Sequence, residues 1–236
     1  MGNDLLDKLK KVDVVTESFK HAVKDYFFLI NKKYPEKETV KLIGDRYRLT
    51  GLQRTVLFRG ITSKKKALYR KSKLIDNLQE KKLHLDGYNI LYTIMNYMLG
   101  KMIFIGNDGI LRDAGEGYGK IENENFFYKA MDLLLDITGA TKVESVYVYL
   151  DDPVSNSDFH MQAFKKKMAQ RTIEGEVFSV KSADRELTCK KNGVIATSDS
   201  EIIDTTPCPI IDLARNVLET KYGITIFDMG KLLGSG

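Results

Sequence analysis

The sequence predicts an α/β protein, a doubly wound and mostly parallel sheet from about residue 81 onward, preceded by a small basic helical unit. Two observations carry this. Short apolar runs alternate with amphipathic helical stretches across the last two thirds of the chain, the pattern of βαβ units. The charge is also unevenly split: residues 1–80 hold 19 Lys and Arg against 10 Asp and Glu, whereas the remainder holds 18 against 22. With 236 residues, 43% hydrophobic and 29% charged, the chain has the composition of an ordinary globular protein with room for a sizeable core. The expected organisation is a helical basic domain over 1–80, an α/β domain over 81–233 and a flexible tail over 234–236.

From Leu5 to Asn31 apolar residues recur at spacings of three and four, which predicts a helix. Tyr34-Pro35-Glu36 interrupts it, because proline disfavours the helical region for the residue before it. Helical segments are expected at Thr39–Leu42 and Thr50–Phe58, around a turn at Gly44-Asp45-Arg46-Tyr47. A third runs over Thr62–Leu78 with Ser63 as candidate N-cap. In the second domain, strands are expected at Lys82–Asp86, Met102–Ile105, Val143–Leu150, Glu176–Val180 and Val194–Ala196. Val146-Tyr147-Val148-Tyr149-Leu150 is nearly all apolar, as a central parallel strand covered on both faces should be. Asn107-Asp108-Gly109 reads as a hairpin turn into Ile110-Leu111. Helices are expected over Ile90–Met98, Glu122–Thr138, Asp158–Arg171, Asp199–Asp204 and Ile210–Thr220, with Ile224–Phe227 as a last edge strand.

No stretch approaches the ~18 consecutive apolar residues of a membrane span, and Met1-Gly2-Asn3-Asp4 leads into a charged segment rather than a signal sequence. The expectation is a cytoplasmic protein with no membrane partner. The two cysteines, Cys189 and Cys208, lack metal-ligand spacing and are expected to be reduced thiols.

Open parallel sheets bind ligands beyond the carboxyl ends of their strands. Three predicted strands end in carboxylates: Asp86, the Asp151-Asp152 pair, and Asp199. Converging carboxylates suit Mg²⁺ or Mn²⁺, hard ions that take oxygen ligands. Glu122 or Glu124, near the start of the helix before the central strand, and Glu201 or Asp204 are candidate further ligands. Hydrolysis of a phosphodiester is the chemistry such a site supports, with Asp86, Asp151, Asp199 and Glu124 as the expected catalytic set. Asn89 and Ser198 offer polar contacts to a carboxylate, a water or a phosphate; helix or turn capping explains them equally well. Arg112, in a loop rich in glycine, is a candidate phosphate clamp, with a loop that simply needs positive φ as the competing account. Gly115-x-Gly117-x-Gly119 has the wrong spacing for a dinucleotide fingerprint. In the basic unit, Arg46 and Arg54 among interleaved aromatic residues suit RNA binding, or a structural ion pair.

Gly44-Asp45-Arg46-Tyr47 with Gln53-Arg54, Leu85-Asp86-Gly87-Tyr88-Asn89, Asp108-Gly109 with Arg112-Asp113, Leu150-Asp151-x-Pro153-x-Ser155 and Ala196-Thr197-Ser198-Asp199-Ser200 occur in this order. Together they resemble the uncharacterised prokaryotic family known as domain of unknown function 434, over about residues 40 to 217, within the PIN-like superfamily. Similarity to PIN-like and NYN-like nucleases implies a three-layer α/β/α sandwich, Mg²⁺ or Mn²⁺ in an acidic cleft, and cleavage of RNA. By this resemblance Asp86 matches the first-strand aspartate, Asp199 the late strand-end aspartate, Glu201 the acid two residues on, Glu124 the helix carboxylate and Asp151 the central strand-end acid. PIN-like relatives often dimerise, so a homodimer enters the expectation. The competing readings are a non-catalytic nucleic-acid-binding or assembly protein on the same scaffold, and a small-molecule phosphohydrolase with a closed pocket.

Overall fold

A computed structural model of the protein describes residues 14–115, 121–152, 154 and 157–234. Leu5, Leu6, Leu9, Val12, Gly117, Gly119, Pro153, Ser155 and the last two tail residues lie outside the described residues. In chain order the elements are α1 (Glu17–Asn31), α2 (Glu36–Arg46), α3 (Gly51–Gly60), α4 (Lys64–Lys73), β1 (Lys82–Asp86), α5 (Gly87–Met98), β2 (Ile103–Ile105) and β3 (Leu111–Asp113). They continue with α6 (Glu124–Ala140), β4 (Ser145–Asp151), α7 (Ser157–Gln170), β5 (Gly175–Val180), α8 (Ala183–Thr188), β6 (Val194–Ala196), α9 (Ser200–Thr205), β7 (Ile210–Ile211), α10 (Leu213–Tyr222) and a 3₁₀ turn at Met229–Leu233.

The chain divides into two compact units, and not at residue 80. The first comprises Met1–Ser72, Leu99–Gly115 and Ile224–Gly236; the second comprises Lys73–Met98 and Glu116–Gly223. The β2–β3 hairpin and the C-terminal segment were expected in the α/β domain and belong instead to the helical unit. The reason is visible at Gly60, where an added Cβ would lie 3.0 Å from both Phe104 and Met229. Residues from all three segments close one core, with Phe19, Tyr26, Leu57, Phe104 and Met229 fully buried. Ile224–Phe227 is accordingly not a sheet edge: Ile105 N–H donates to Phe227 O at 2.8 Å, in the first unit.

Two further boundaries differ from the sequence reading. Thr16 is extended and its side chain accepts from Phe19 N–H, so the long helix expected from Leu5 to Asn31 is interrupted by a cap inside its apolar periodicity. Gly44, Asp45 and Arg46 form the last turn of α2 rather than a free-standing turn. Arg54 from α3 lies across that turn, donating to Leu49 O at 3.1 Å, to Lys41 O at 3.3 Å and to Asp45 Oδ1 at 2.9 Å. Its guanidinium occupies the space where a Cβ on Gly44 would be, which explains the glycine.

The expected hairpin is present. Gly109 adopts φ +82°, and Gly106 N–H donates to Ile110 O. Asp108 in its turn is buried between two guanidiniums: Arg112 donates to both oxygens at 2.8 Å and Arg70 to Oδ2 at 2.9 Å. Burial alone would raise the Asp108 carboxyl, but the charges and hydrogen bonds of Arg112 and Arg70 outweigh it and hold the pKa below the ordinary value.

In the second unit five strands pair in the order β5-β4-β1-β6-β7, all parallel. The chain builds outward from β1 through β4 to β5, then returns to the other side of β1 with β6 and β7. The connection reverses direction between β1 and β6, which is where such sheets open a crevice at their carboxyl ends. Helix α5 packs on β1 and β4 and against α6 and α10, while α8 packs on β1 and β4 and against α9. Ile210–Ile211, expected to open a helix, is the edge strand β7; Asp212 caps the helix behind it, accepting from Arg215 N–H at 3.1 Å. Among the described residues no helix is long and apolar enough to cross a membrane.

Replacing Asp108 by alanine removes the carboxylate between two buried guanidiniums and is expected to destabilise the protein by about 3–5 kcal/mol in urea titrations followed by circular dichroism. Because the folded pKa is lowered, the stability that Asp108 contributes is present above its unfolded value and lost as pH falls through the folded one. The variant should therefore lose part of the wild type's acid sensitivity.

Candidate metal centre

Asp86 is the last residue of β1 and Gly87 the first of α5, so strand passes into helix without a loop. Only glycine fits there: a Cβ on Gly87 would lie 2.6 Å from Leu150 Cδ2 and 3.0 Å from Tyr149 O of β4. This close approach draws the end of β1 down beside β4 and leaves the Asp86 side chain 4% exposed. Across the crevice, Thr197 Oγ1 donates to Asp86 Oδ2 at 2.7 Å and itself accepts from Asp199 N–H at 3.0 Å. Beside it, Asn89 Oδ1 accepts from both Ser198 N–H and Ser198 Oγ, each at 2.9 Å. Asn89 and Ser198 thus latch the end of β6 to the start of α5.

Burial pushes the Asp86 carboxyl up to about 8; the Thr197 hydrogen bond works against this, and the charges of Asp184, Asp199 and Asp151 add to it. All of these neighbours are acids. Asp184, in the first turn of α8, is itself raised by partial burial and then by Asp199, Asp151 and Glu201. Asp86, Asp151, Asp184, Asp199 and Glu201 therefore share one electrostatic neighbourhood at the carboxyl ends of β1, β4, β5 and β6.

Each of the three aspartates read from strand ends has one oxygen engaged by the backbone or a hydroxyl. Asp86 accepts from Thr197, Asp151 Oδ1 from Ala183 N–H at 2.8 Å, and Asp199 Oδ1 from Glu201 N–H at 2.7 Å and Ile202 N–H at 3.1 Å. The second oxygen of each accepts no hydrogen bond from a described residue. Helix capping and ligand binding, alternatives at Asp199 in the sequence, are here compatible: one oxygen caps α9 and the other is left over. An all-oxygen donor set around a buried carboxyl that burial and its neighbours resist charging fits a hard divalent cation. Among the described residues no three such groups stand close enough together to enclose an ion directly.

The other expected site residues lie elsewhere. Glu124 is exposed at the start of α6, and the group it acts on is His160, whose pKa it raises against a larger lowering by burial. It is not among the charges acting on Asp86. Asp152 is exposed and its Oδ1 accepts from Ser179 Oγ at 3.5 Å, so Asp151 is the member of the pair that faces the cluster. Arg112, expected to clamp a phosphate, is closed on Asp108 with only 6% exposure. Arg54 is spent on the end of α2, and Arg46 lies over the Tyr47 ring and 4.0 Å from Asp25. Sequence reasoning missed Asp184. Its signal was a carboxylate shortly after the β5 strand, behind the N-cap Ser182, which reads as ordinary helix-start chemistry.

These features define a class: an α/β protein with a buried aspartate and a ring of acids at the switch point of a parallel sheet. Compared with known proteins, residues 75–216 match the family model described as Domain of unknown function (DUF5616), and residues 18–73 match Protein of unknown function (DUF434). An uncharacterized protein of Methanocaldococcus jannaschii, MJ0935, is 34% identical over 205 residues, covering 86% of this chain and 97% of that protein. The chain belongs to the DUF5616 family and carries the DUF434 segment before it. The resemblance read from sequence is thereby redrawn: only its Gly44–Arg54 motifs fall in the DUF434 segment, and the four later motifs fall in DUF5616. No solved structure matches the chain.

In chelator-treated protein the raised Asp86 pKa predicts an unusual pH dependence. Its folded value, about 8, lies above the unfolded value of 3.8, so the contribution is fully present below pH 3.8 and lost as pH rises to 8. Denaturant titrations should show wild-type stability falling by up to about 1.4 kcal/mol per pH unit across that window relative to Asp86→Asn. Parallel curves for the two proteins would contradict a protonated, buried Asp86.

Proposed function

We propose that the second unit is a PIN-like α/β/α domain that hydrolyses RNA phosphodiester bonds with Mg²⁺ or Mn²⁺. The observation that carries the reading is the buried Asp86 carboxyl, raised to about 8 by burial and by neighbours that are all acidic, at the crevice between β1 and β6. When bound there, such a cation offsets charge on a phosphate and acidifies a water.

The chain's own residues have separable tasks. Thr197 fixes one Asp86 oxygen by donating to Oδ2 and leaves Oδ1 for the ion. Ala183 N–H holds Asp151, and the N-terminus of α9 holds Asp199, so both carboxylates are oriented before any ligand arrives. The raised pKa of Asp184 suits it to accept the proton of an attacking water. The proton that burial keeps on Asp86 must leave when a cation binds, so affinity should rise with pH. A second reading, a non-catalytic nucleic-acid-binding or assembly protein on the same scaffold, is favoured by one observation: among the described residues no three ligating groups stand together.

Calorimetric titration of Mn²⁺ into chelator-treated protein should show saturable binding that is tighter at pH 8 than at pH 6 and abolished in Asp86→Asn/Asp199→Asn. RNA cleavage in Mn²⁺ should fall by at least ~10²-fold in that variant and in Asp184→Asn. Folded wild-type protein that takes up no Mn²⁺ would sink the hydrolytic reading and leave the scaffold reading.

A further inference from the structure

The two faces of the parallel sheet are unequally covered. Right-handed crossovers place α7, on the way out from β4 to β5, and α8, on the way back to β6, on opposite faces. The face of α6 and α7 is served by helices of 17 and 14 residues, whereas α8 and α9 on the return side have six residues each. A helix of that length runs only about 9 Å, against roughly 19 Å across five strands. Parallel sheets are ordinarily buried on both faces.

Side chains alternate along a strand, so register decides which groups share the return face. His84 lies opposite Tyr147, Asp86 opposite Tyr149, and Tyr149 opposite Phe178. The rings touch: the centroids of His84 and Tyr147 are 5.3 Å apart, as are those of Tyr149 and Phe178. Asp151 follows Tyr149 by two positions and points the same way, and it accepts from Ala183 N–H at the start of α8. Gly87 meets Val148 and Leu150 on the other side. Rings and acids therefore occupy one face of the same strands, within the second unit. Tyr149 is buried, and Lys190 Nζ stands 4.8 Å from its ring centroid, with no ion pair to a described carboxylate. Tyr147 and Phe178 stay only half-buried. Half-buried rings on a face that such sheets normally cover, beside an ammonium and in line with the acids, are better accounted for by a ligand than by solvation.

We propose that this face binds unpaired bases of single-stranded RNA, stacked against Phe178 and Tyr147, with Lys190 on an adjoining phosphate. The inference rests on RNA being the substrate of the acidic centre and names the part of the strand gripped beside it. Phe178 is in register with Tyr149, two residues before Asp151 and about 7 Å along the strand. Continuity of the face places the stacked base next to the phosphate that the acids engage. Every base offers a π-face, and duplex stacking hides it, so the rings select a single strand without regard to sequence.

The chain has no tryptophan, so Phe178→Trp sets a single indole on this face. In chelator, where binding is read without cleavage, an oligouridylate of about 10 nucleotides should quench its emission saturably. Duplex RNA, or a ribose-phosphate chain of the same length without bases, should leave the emission unchanged. By fluorescence anisotropy with labelled oligouridylate, Phe178→Leu and Tyr147→Leu, which stay apolar, should each weaken binding by roughly 5- to 100-fold and leave binding of the baseless chain as it was. Lys190→Gln should lower the slope of log affinity against log salt by about 0.7, one single-strand phosphate contact. Phe159→Ala, at a position 71% exposed on α7, should bind as the wild type does. Far-UV circular dichroism checks that each variant is folded. An indole unmoved while oligouridylate binds, leucine variants no weaker than the Phe159→Ala control, or wild-type protein without RNA binding would overturn the proposal. Base-dependent binding with these properties but no cleavage in Mn²⁺ would refute the hydrolytic reading alone.

Discussion

The second unit is organised around the burial of one carboxyl. Asp86 sits where charging is costly, 4% exposed and ringed by other acids. It stays there because Gly87 brings β1 against β4 and because Thr197 reaches across from β6 to its Oδ2. The same threonine receives the Asp199 amide, and Asp199 in turn starts α9. A chain of short polar contacts thus runs from the middle of the sheet into the helix beyond it. Disturbing its first member disturbs the placement of the rest, as linked hydrogen bonds in a low-dielectric setting require.

The surrounding elements serve as abutments to that crevice. Asn89 latches the end of β6 through Ser198, and Asp151 pins the start of α8 through Ala183. The carboxylates are therefore tied to strand ends and helix starts, the stiffest backbone available, and not to long loops. Such bracing limits the reorganisation that ligand binding would otherwise demand.

Much of this was legible because strand ends and capping residues leave local marks. The apolar run ending at Leu150, the Leu85-Asp86-Gly87 junction and the Ala196–Asp199 turn each state their role within a few residues. Asp184 was not legible, since an acid behind a serine cap looks like helix chemistry until β5 is seen to bring it beside Asp151. Glu124 erred in the opposite sense: a carboxylate opening a helix before the central strand has the right local signature, but α6 carries it to His160. Arg112 and Arg54 looked available because sequence does not reveal which arginines an acid has already claimed. Pairing across 38 residues, as between Arg70 and Asp108, is a tertiary fact.

The first unit's core is closed by Gly60, Phe104 and Met229, which come from three separated stretches of chain. The parallel sheet, by contrast, takes all its strands from the stretch between Lys82 and Ile211. Closing the first core must bring Gly60 and Met229 together across 229 − 60 = 169 positions of chain. Loop closure over such a span is costly and slow, so the unit made mostly of local helices is the one whose core depends on the longest-range contact.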